Sequence, residues 1–339
     1  MEKKSFPPRI EIDMTFDQQF ACSKEFSNKE FSFNIENLNG VIAFPKIDPN
    51  IDRISCFKKG AILPPDNADL SVSRHKEINW GSIPSFPFSC IRVGNLRAWV
   101  NVLDEDNYKN EGNFLYDHLP KWRDLLQLYL EIFTKESLRY REPIVSPINK
   151  YINMSIWANE NGKSGLKQPF DRIDNINIEV GEHPCIDEQA FFWVLDRLQR
   201  LEPPPVEYQL LNEARIDFQN RNLAKAIIQA STAIEIVLEK LISEIIENKI
   251  GKDFLKVLGQ QTLGKKYHTL KGLGIDLSTL GYSESFVGVR NAAAHKGNVP
   301  EKLEVRQLIQ SAEKILEHFS PLMSSLPFKT ATNESENPI

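Results

Sequence analysis

The chain has 339 residues, 41% hydrophobic and 26% charged, a balance that excludes an intrinsically disordered polymer. At about 100 to 200 residues per domain its length suggests two domains. The net charge of −5 excludes a protein that is basic throughout, so a nucleic-acid partner would have to use a local patch.

The first residues, Met1-Glu2-Lys3-Lys4-Ser5-Phe6, run into Pro7, Pro8 and Glu11 without an apolar stretch. That is not a secretory signal, and a cytoplasmic protein is expected. Uncharged stretches such as Gly81 to Ile91 fall well short of the roughly 18 apolar residues of a membrane span, so no membrane partner is expected. Cys22, Cys56, Cys90 and Cys185 are far apart and form no Cys-x-x-Cys pair, which suggests buried free thiols.

The first 110 residues or so read as mainly β. Phe31-Ser32-Phe33-Asn34-Ile35 alternates apolar with polar residues, and Ile176-Asn177-Ile178-Glu179-Val180 repeats the pattern further on. Two helices interrupt this region. Leu115, Leu119, Trp122, Leu126, Tyr129 and Ile132 mark one by their spacing; Phe191, Val194, Leu195 and Leu198 mark the other, with Asp187 as its cap.

Glu202-Pro203-Pro204-Pro205 is the clearest boundary, because consecutive prolines cannot continue a helix. Beyond it the pattern is helical: Leu211, Ala214 and Phe218, then the long stripe from Leu223 to Ile245, then Val305 to Phe319. Gly251 follows the long stripe as a stop signal. The expected fold class is α+β, with a β-rich N-terminal region and accessory helices (1–201), an all-α bundle (206–325) and a polar tail (327–339).

The stretch Gly288-Val289-Arg290-Asn291-Ala292-Ala293-Ala294-His295-Lys296-Gly297 carries the chemistry. It places an arginine and a histidine five residues apart on a small-residue helix that Gly297 can end. Around it, from Lys249 to Lys296, eight lysines and arginines face three acids, opposite in sign to the whole chain. Lys265, Lys266, Lys271 and Lys296 in this stretch are candidates for tracking phosphates, and the stretch also reads as a solvated loop. Tyr267 and His268 inside it read as stacking residues or as loop anchors.

Arg290-Asn291-x-x-x-His295 in a helical block resembles the Arg-x4-6-His motif of HEPN domains, the higher eukaryote and prokaryote nucleotide-binding family. The resemblance covers about residues 206–325 and none of the first 200. It implies a HEPN-like bundle, a homodimer, and RNA as partner. It further implies a metal-independent endoribonuclease, a nuclease and hydrolase acting in antiviral defence or as a toxin, with Arg290 and His295 as catalytic residues. Members of the family that have lost catalysis leave a second expectation, a non-catalytic dimerisation or partner-binding protein with an N-terminal ligand-recognition domain.

The residue types suit the chemistry. Histidine, with an ordinary pKa of about 6.5, can take a proton from a 2′-hydroxyl. Arginine binds phosphate oxygens with a planar fork and stays protonated. Asn291 reads either as a supporting phosphate ligand or as a helix-stabilising residue. The plainer reading of His295 is a residue at a helix C-terminus, where a positive charge favours the dipole; that of Arg290 is an ion pair with Glu235. His75, His118, His183 and His318 lack metal-ligand spacing, and neither a Gly-x-x-x-x-Gly-Lys-Ser/Thr nor a Gly-x-Gly-x-x-Gly occurs, so no metal or cofactor is expected.

Overall fold

A computed structural model describes residues 9–36, 38–49, 62–66, 79–83, 90–101, 108–138, 184–249 and 262–323. The contacts group Met1–Leu138 with Pro184–Ile339 as one unit and Arg139–His183 as another; every described residue belongs to the first. The expected strand at 176–180, Gly251, Cys56 and the tail 327–339 lie outside the described residues.

Among the described residues seven strands come first: β1 (Arg9–Ser23), β2 (Glu30–Ile35), β3 (Leu38–Ala43), β4 (Lys46–Ile47), β5 (Ile62–Leu63), β6 (Gly81–Ser82) and β7 (Cys90–Asn101). The main sheet is antiparallel in the order β1-β7-β3-β2, with β6 also on β7, while β4 and β5 pair separately. In β2 the alternation read from the sequence holds: Phe31, Phe33 and Ile35 are buried and Glu30 and Ser32 exposed, as a pleated strand with one dry face requires. The β2–β3 hairpin packs tightly because Gly40 lies against the Phe33 ring; a Cβ there would meet it at 2.5 Å.

Two helices, α1 (Tyr108–Thr134) and α2 (Glu188–Gln199), cover the dry face. Trp122 of α1 lies against Phe33, with ring centroids 5.1 Å apart. Phe191 of α2 sits among Phe26, Phe31 and Phe44 at 4.9 to 5.6 Å. Asp187 caps α2 as its sequence position suggests, its Oδ1 accepting the Ala190 N–H at 2.8 Å. The chain leaves this layer at Leu138, whose carbonyl accepts the Gln18 N–H, and returns at Ile186, which exchanges backbone hydrogen bonds with Ala21 and Ser23. Both attachment points therefore lie on β1.

Among the described residues five α-helices follow: α3 (Val206–Gln219), α4 (Leu223–Lys249), α5 (Leu263–Gly272), α6 (Ser285–Lys296) and α7 (Lys302–Phe319). The β-rich part followed by these helices makes the chain α+β. The apolar stripes of α3, α4 and α7 form a second core around Leu211, Ile234, Leu238, Leu308 and Leu316. Ile132 near the end of α1 is also buried in it, and Asn212 of α3 donates to the buried Glu131 carboxylate at 2.8 Å, so α1 is built into both cores. Among the described residues no helix is long and apolar enough to cross a membrane.

Glu207, in the first turn of α3, is fully buried. Burial pushes its carboxyl up, but hydrogen bonds from Lys240 at 2.7 Å, from its own backbone N–H and from Ser320, with the Lys240 charge, hold it below the ordinary 4.5. A lowered folded value stabilises the protein above 4.5, and that contribution is lost as the pH falls through the lowered value. Glu207→Gln is expected to flatten the acid limb of the stability curve in that window. Urea titrations across an acidic pH series check it; an acid limb as steep as that of the parent would disprove the assignment.

Candidate functional site

The basic stretch that reads as a loop is partly helical. Leu263, Tyr267 and Leu270 recur at helical spacing, form the buried face of α5 and pack on α4. Lys266 lies on that same face, one turn after Leu263. It is 3% exposed, and its ammonium is held by Glu239 at 2.8 Å and Glu235 at 3.3 Å.

This corrects the expectation for Lys266. Its donors are turned into the bundle and its charge is balanced there, so it cannot meet a phosphate from solvent. Lys265, Lys271 and Lys296 are exposed. Glu235, read as a partner for Arg290, is taken by Lys266 instead.

Tyr267 is buried and contacts Tyr282 at 5.5 Å, and Tyr282 in turn contacts Phe286 at 5.8 Å. This aromatic file seats α6 on the core and removes Tyr267 from any stacking role. Burial, with Tyr267 and Glu235 nearby, pushes the Tyr282 hydroxyl pKa up. His268 stays on the surface, 3.1 Å from Glu284 at the head of α6.

The α6 helix forms and ends as its sequence suggests. Phe286 and Ala293 are buried and Val289 is partly buried against the same core, leaving the opposite side to solvent. Gly297 ends the helix in the left-handed region, φ 67°, its N–H returning to the Ala292 carbonyl. His295 and Lys296 fall in the last turn, where the Lys296 charge suits the helix dipole.

His295 and Asn291 are exposed and Arg290 is half-buried. The Arg290 guanidinium donates through Nη1 to Asn291 Oδ1 at 3.1 Å, while its Nε is buried without a hydrogen-bond partner. Asn291 thus steadies the arginine, a role distinct from both the phosphate ligand and the helix-stabilising residue read from the sequence. Because Arg290 and His295 are five residues apart on one regular helix, they project about 140° apart at roughly 100° per residue. A single copy of α6 does not converge them on one atom.

Among the described residues, cavities lie elsewhere. One of about 280 Å³ is lined by Trp193, Arg197, Glu207 and Lys240, and one of about 290 Å³ by Tyr208, Leu211, Arg215 and Leu322; neither includes Arg290 or His295. Cys22 and Cys90 are buried and Cys185 half-buried, all three as free thiols. Among the described residues no three His, Cys, Asp or Glu side chains are grouped to hold a metal. No family model, curated protein or solved structure matches the chain.

Sequence reasoning missed the inward turn of Lys266, although the Leu263, Tyr267 and Leu270 spacing carried that signal. It also passed over Arg221, Lys302 and Arg306, whose grouping depends on which helix ends meet in space.

Proposed function

We propose that the chain is a metal-independent endoribonuclease of HEPN type, working as a homodimer in the cytoplasm. The observation that carries this reading is α6 itself. A solvent-facing helix ended by Gly297 presents His295 and an arginine steadied by Asn291, within an otherwise helical block.

In this mechanism a His295 imidazole takes the proton of a ribose 2′-hydroxyl. The 2′-oxygen attacks the adjacent phosphorus, the bond from phosphorus to the 5′-oxygen breaks, and a second His295 protonates the leaving oxygen. Arg290 holds the non-bridging oxygens as negative charge grows on them. Lys265, Lys271 and Lys296 add attraction for the RNA backbone.

The 140° between Arg290 and His295 is the reason for two copies. A two-fold contact between α6 helices gathers two arginines and two histidines around one cleft. The resemblance to the HEPN family places such an enzyme in antiviral defence or toxin action, with residues 1–201 as sensor or regulator.

A second reading, a non-catalytic dimerisation or partner-binding protein, is favoured by the exposed, side-chain-free position at Gly288 on α6. A Cβ there would meet nothing within 4 Å, so a partner helix can approach closely. Purified protein in EDTA separates the two readings. The enzyme is expected to cleave single-stranded RNA, with activity falling in proportion to the dimer fraction on dilution, followed by sedimentation. No cleavage at any concentration leaves the second reading, and full activity as a monomer rejects the shared cleft.

A further inference from the structure

One end of the helical bundle gathers four cations that, among the described residues, have no carboxylate partner. The Ser311 hydroxyl of α7 donates to the Gly281 carbonyl, ahead of α6, at 2.7 Å. From that level the chain runs along α6 to Lys296 and re-enters α7 at Lys302 after residues 297–301. The last turn of α6 and the first turn of α7 therefore lie at the same end.

The turn between α3 and α4 is at that end too. Lys302 Nζ stands 5.8 Å from the centroid of Phe218, near the end of α3, and Arg221 follows in the turn. Arg306 is one helical turn beyond Lys302 on α7.

Lys296, Arg221, Lys302 and Arg306 are all exposed, and among the described residues none has a carboxylate partner. Of the nearby acids, Asp217 is buried beside Lys225 at 3.0 Å. Glu301 and Glu304 turn to backbone N–H groups in a capping box on the first turn of α7, which keeps their two charges at this end but leaves the four cations in excess. Elsewhere on the bundle some cations are paired, Arg215 with Glu313 at 2.8 Å and Lys240 with Glu207, while Lys265, Lys271 and Lys314 are exposed singly on other faces. Charge left open at one end, beside the helix that carries His295, suits a polyanion rather than the stability of the fold.

Between these cations, Val299 and Leu303 are 74% and 61% exposed. A row of charges around uncovered apolar side chains offers phosphates and bases separate surfaces.

We infer that this end of the bundle is a binding track for single-stranded RNA, in which Arg221, Lys302 and Arg306 hold the phosphate backbone of a strand reaching Arg290 and His295. The inference rests on the nuclease reading and extends it from the scissile phosphate to the flanking ones. Counterion release makes such binding salt-dependent, each lost contact lowering the slope by about one.

Arg221 provides a control that does not threaten the fold. It sits in the left-handed region, φ 63°, which glycine adopts without strain, so Arg221→Gly removes the charge and relaxes the backbone. The test measures fluorescence anisotropy of a labelled oligouridylate on full-length protein. Arg221→Gly, Lys302→Glu and Arg306→Glu are made singly and together in a His295→Ala background, where the probe stays intact. The triple variant, with an unchanged melting temperature, is expected to bind at least about 100-fold more weakly at low salt, with a shallower salt slope. The same three changes with His295 present are expected to leave cleavage of a dinucleotide, too short to reach the track, within about twofold.

Unchanged oligouridylate affinity in the triple variant overturns the track while leaving Arg290 and His295 as the cleavage site. A parent protein that neither binds nor cleaves RNA overturns track and nuclease reading together. Polyglutamate competing as well as RNA overturns the track by assigning the surface to an acidic protein segment.

Discussion

His295→Ala is expected to lower RNA cleavage by about 10²–10⁴-fold, the range for loss of a general acid or base. Arg290→Ala is expected to lower it by about 10²–10³-fold, as when one donor to a developing oxyanion is removed. Neither side chain belongs to the buried face of Phe286 and Ala293, so melting temperatures are expected to stay close to that of the parent. Arg290→Lys should recover little activity, because an ammonium cannot reproduce the planar fork. Products are expected to carry a 2′,3′-cyclic phosphate and a 5′-hydroxyl, since the nucleophile is internal to the RNA. Mass spectrometry of the fragments decides this, and 5′-phosphate ends would rule out the mechanism.

Phe191→Ala has the largest expected effect on stability. The ring is fully buried and touches Phe26, Phe31 and Phe44, so truncation removes a central contact between α2 and the sheet and leaves a cavity. A loss of about 3–5 kcal/mol is expected, a large share of the roughly 5–15 kcal/mol that keeps a domain folded. Equilibrium urea unfolding, followed by tryptophan fluorescence, measures it. A loss under about 1 kcal/mol would mean that the surrounding rings collapse into the space, contrary to the packing described.

The helices were legible in the sequence because their stripes are long. Leu223 to Ile245 keeps one apolar face over many turns, and Asp187 announces α2 with a side chain suited to capping. In β2 the alternation of Phe31, Phe33 and Ile35 was equally plain. What no local pattern carries is which faces meet. The convergence of Phe26, Phe31, Phe44 and Phe191 depends on tertiary pairing, and so does the burial of Ile132 in a core otherwise built beyond the prolines.

The candidate site shows the same division. The α6 helix, its buried face and its glycine stop follow from local spacing, which is why Arg290, Asn291 and His295 could be placed before any fold was known. Lys265 and Lys266 are adjacent and chemically identical, yet one is solvated and the other sealed against two glutamates. A count of charges treats them alike; only the helical phase set by Leu263, Tyr267 and Leu270 separates them. Gly264, Gly272 and Gly274 made that phase easy to overlook, since glycines usually punctuate loops.

The two attachment points on β1, at Gln18 for the outgoing chain and at Ala21 and Ser23 for the returning one, have a topological consequence. At about 3.3 Å per strand residue they stand within roughly 20 Å of each other. Closing a loop between two such points costs entropy. That entropy changes slowly with length, by about 0.6 kcal/mol per doubling. The length of chain between Leu138 and Ile186 is therefore a weak lever on the stability of the strand that both ends join.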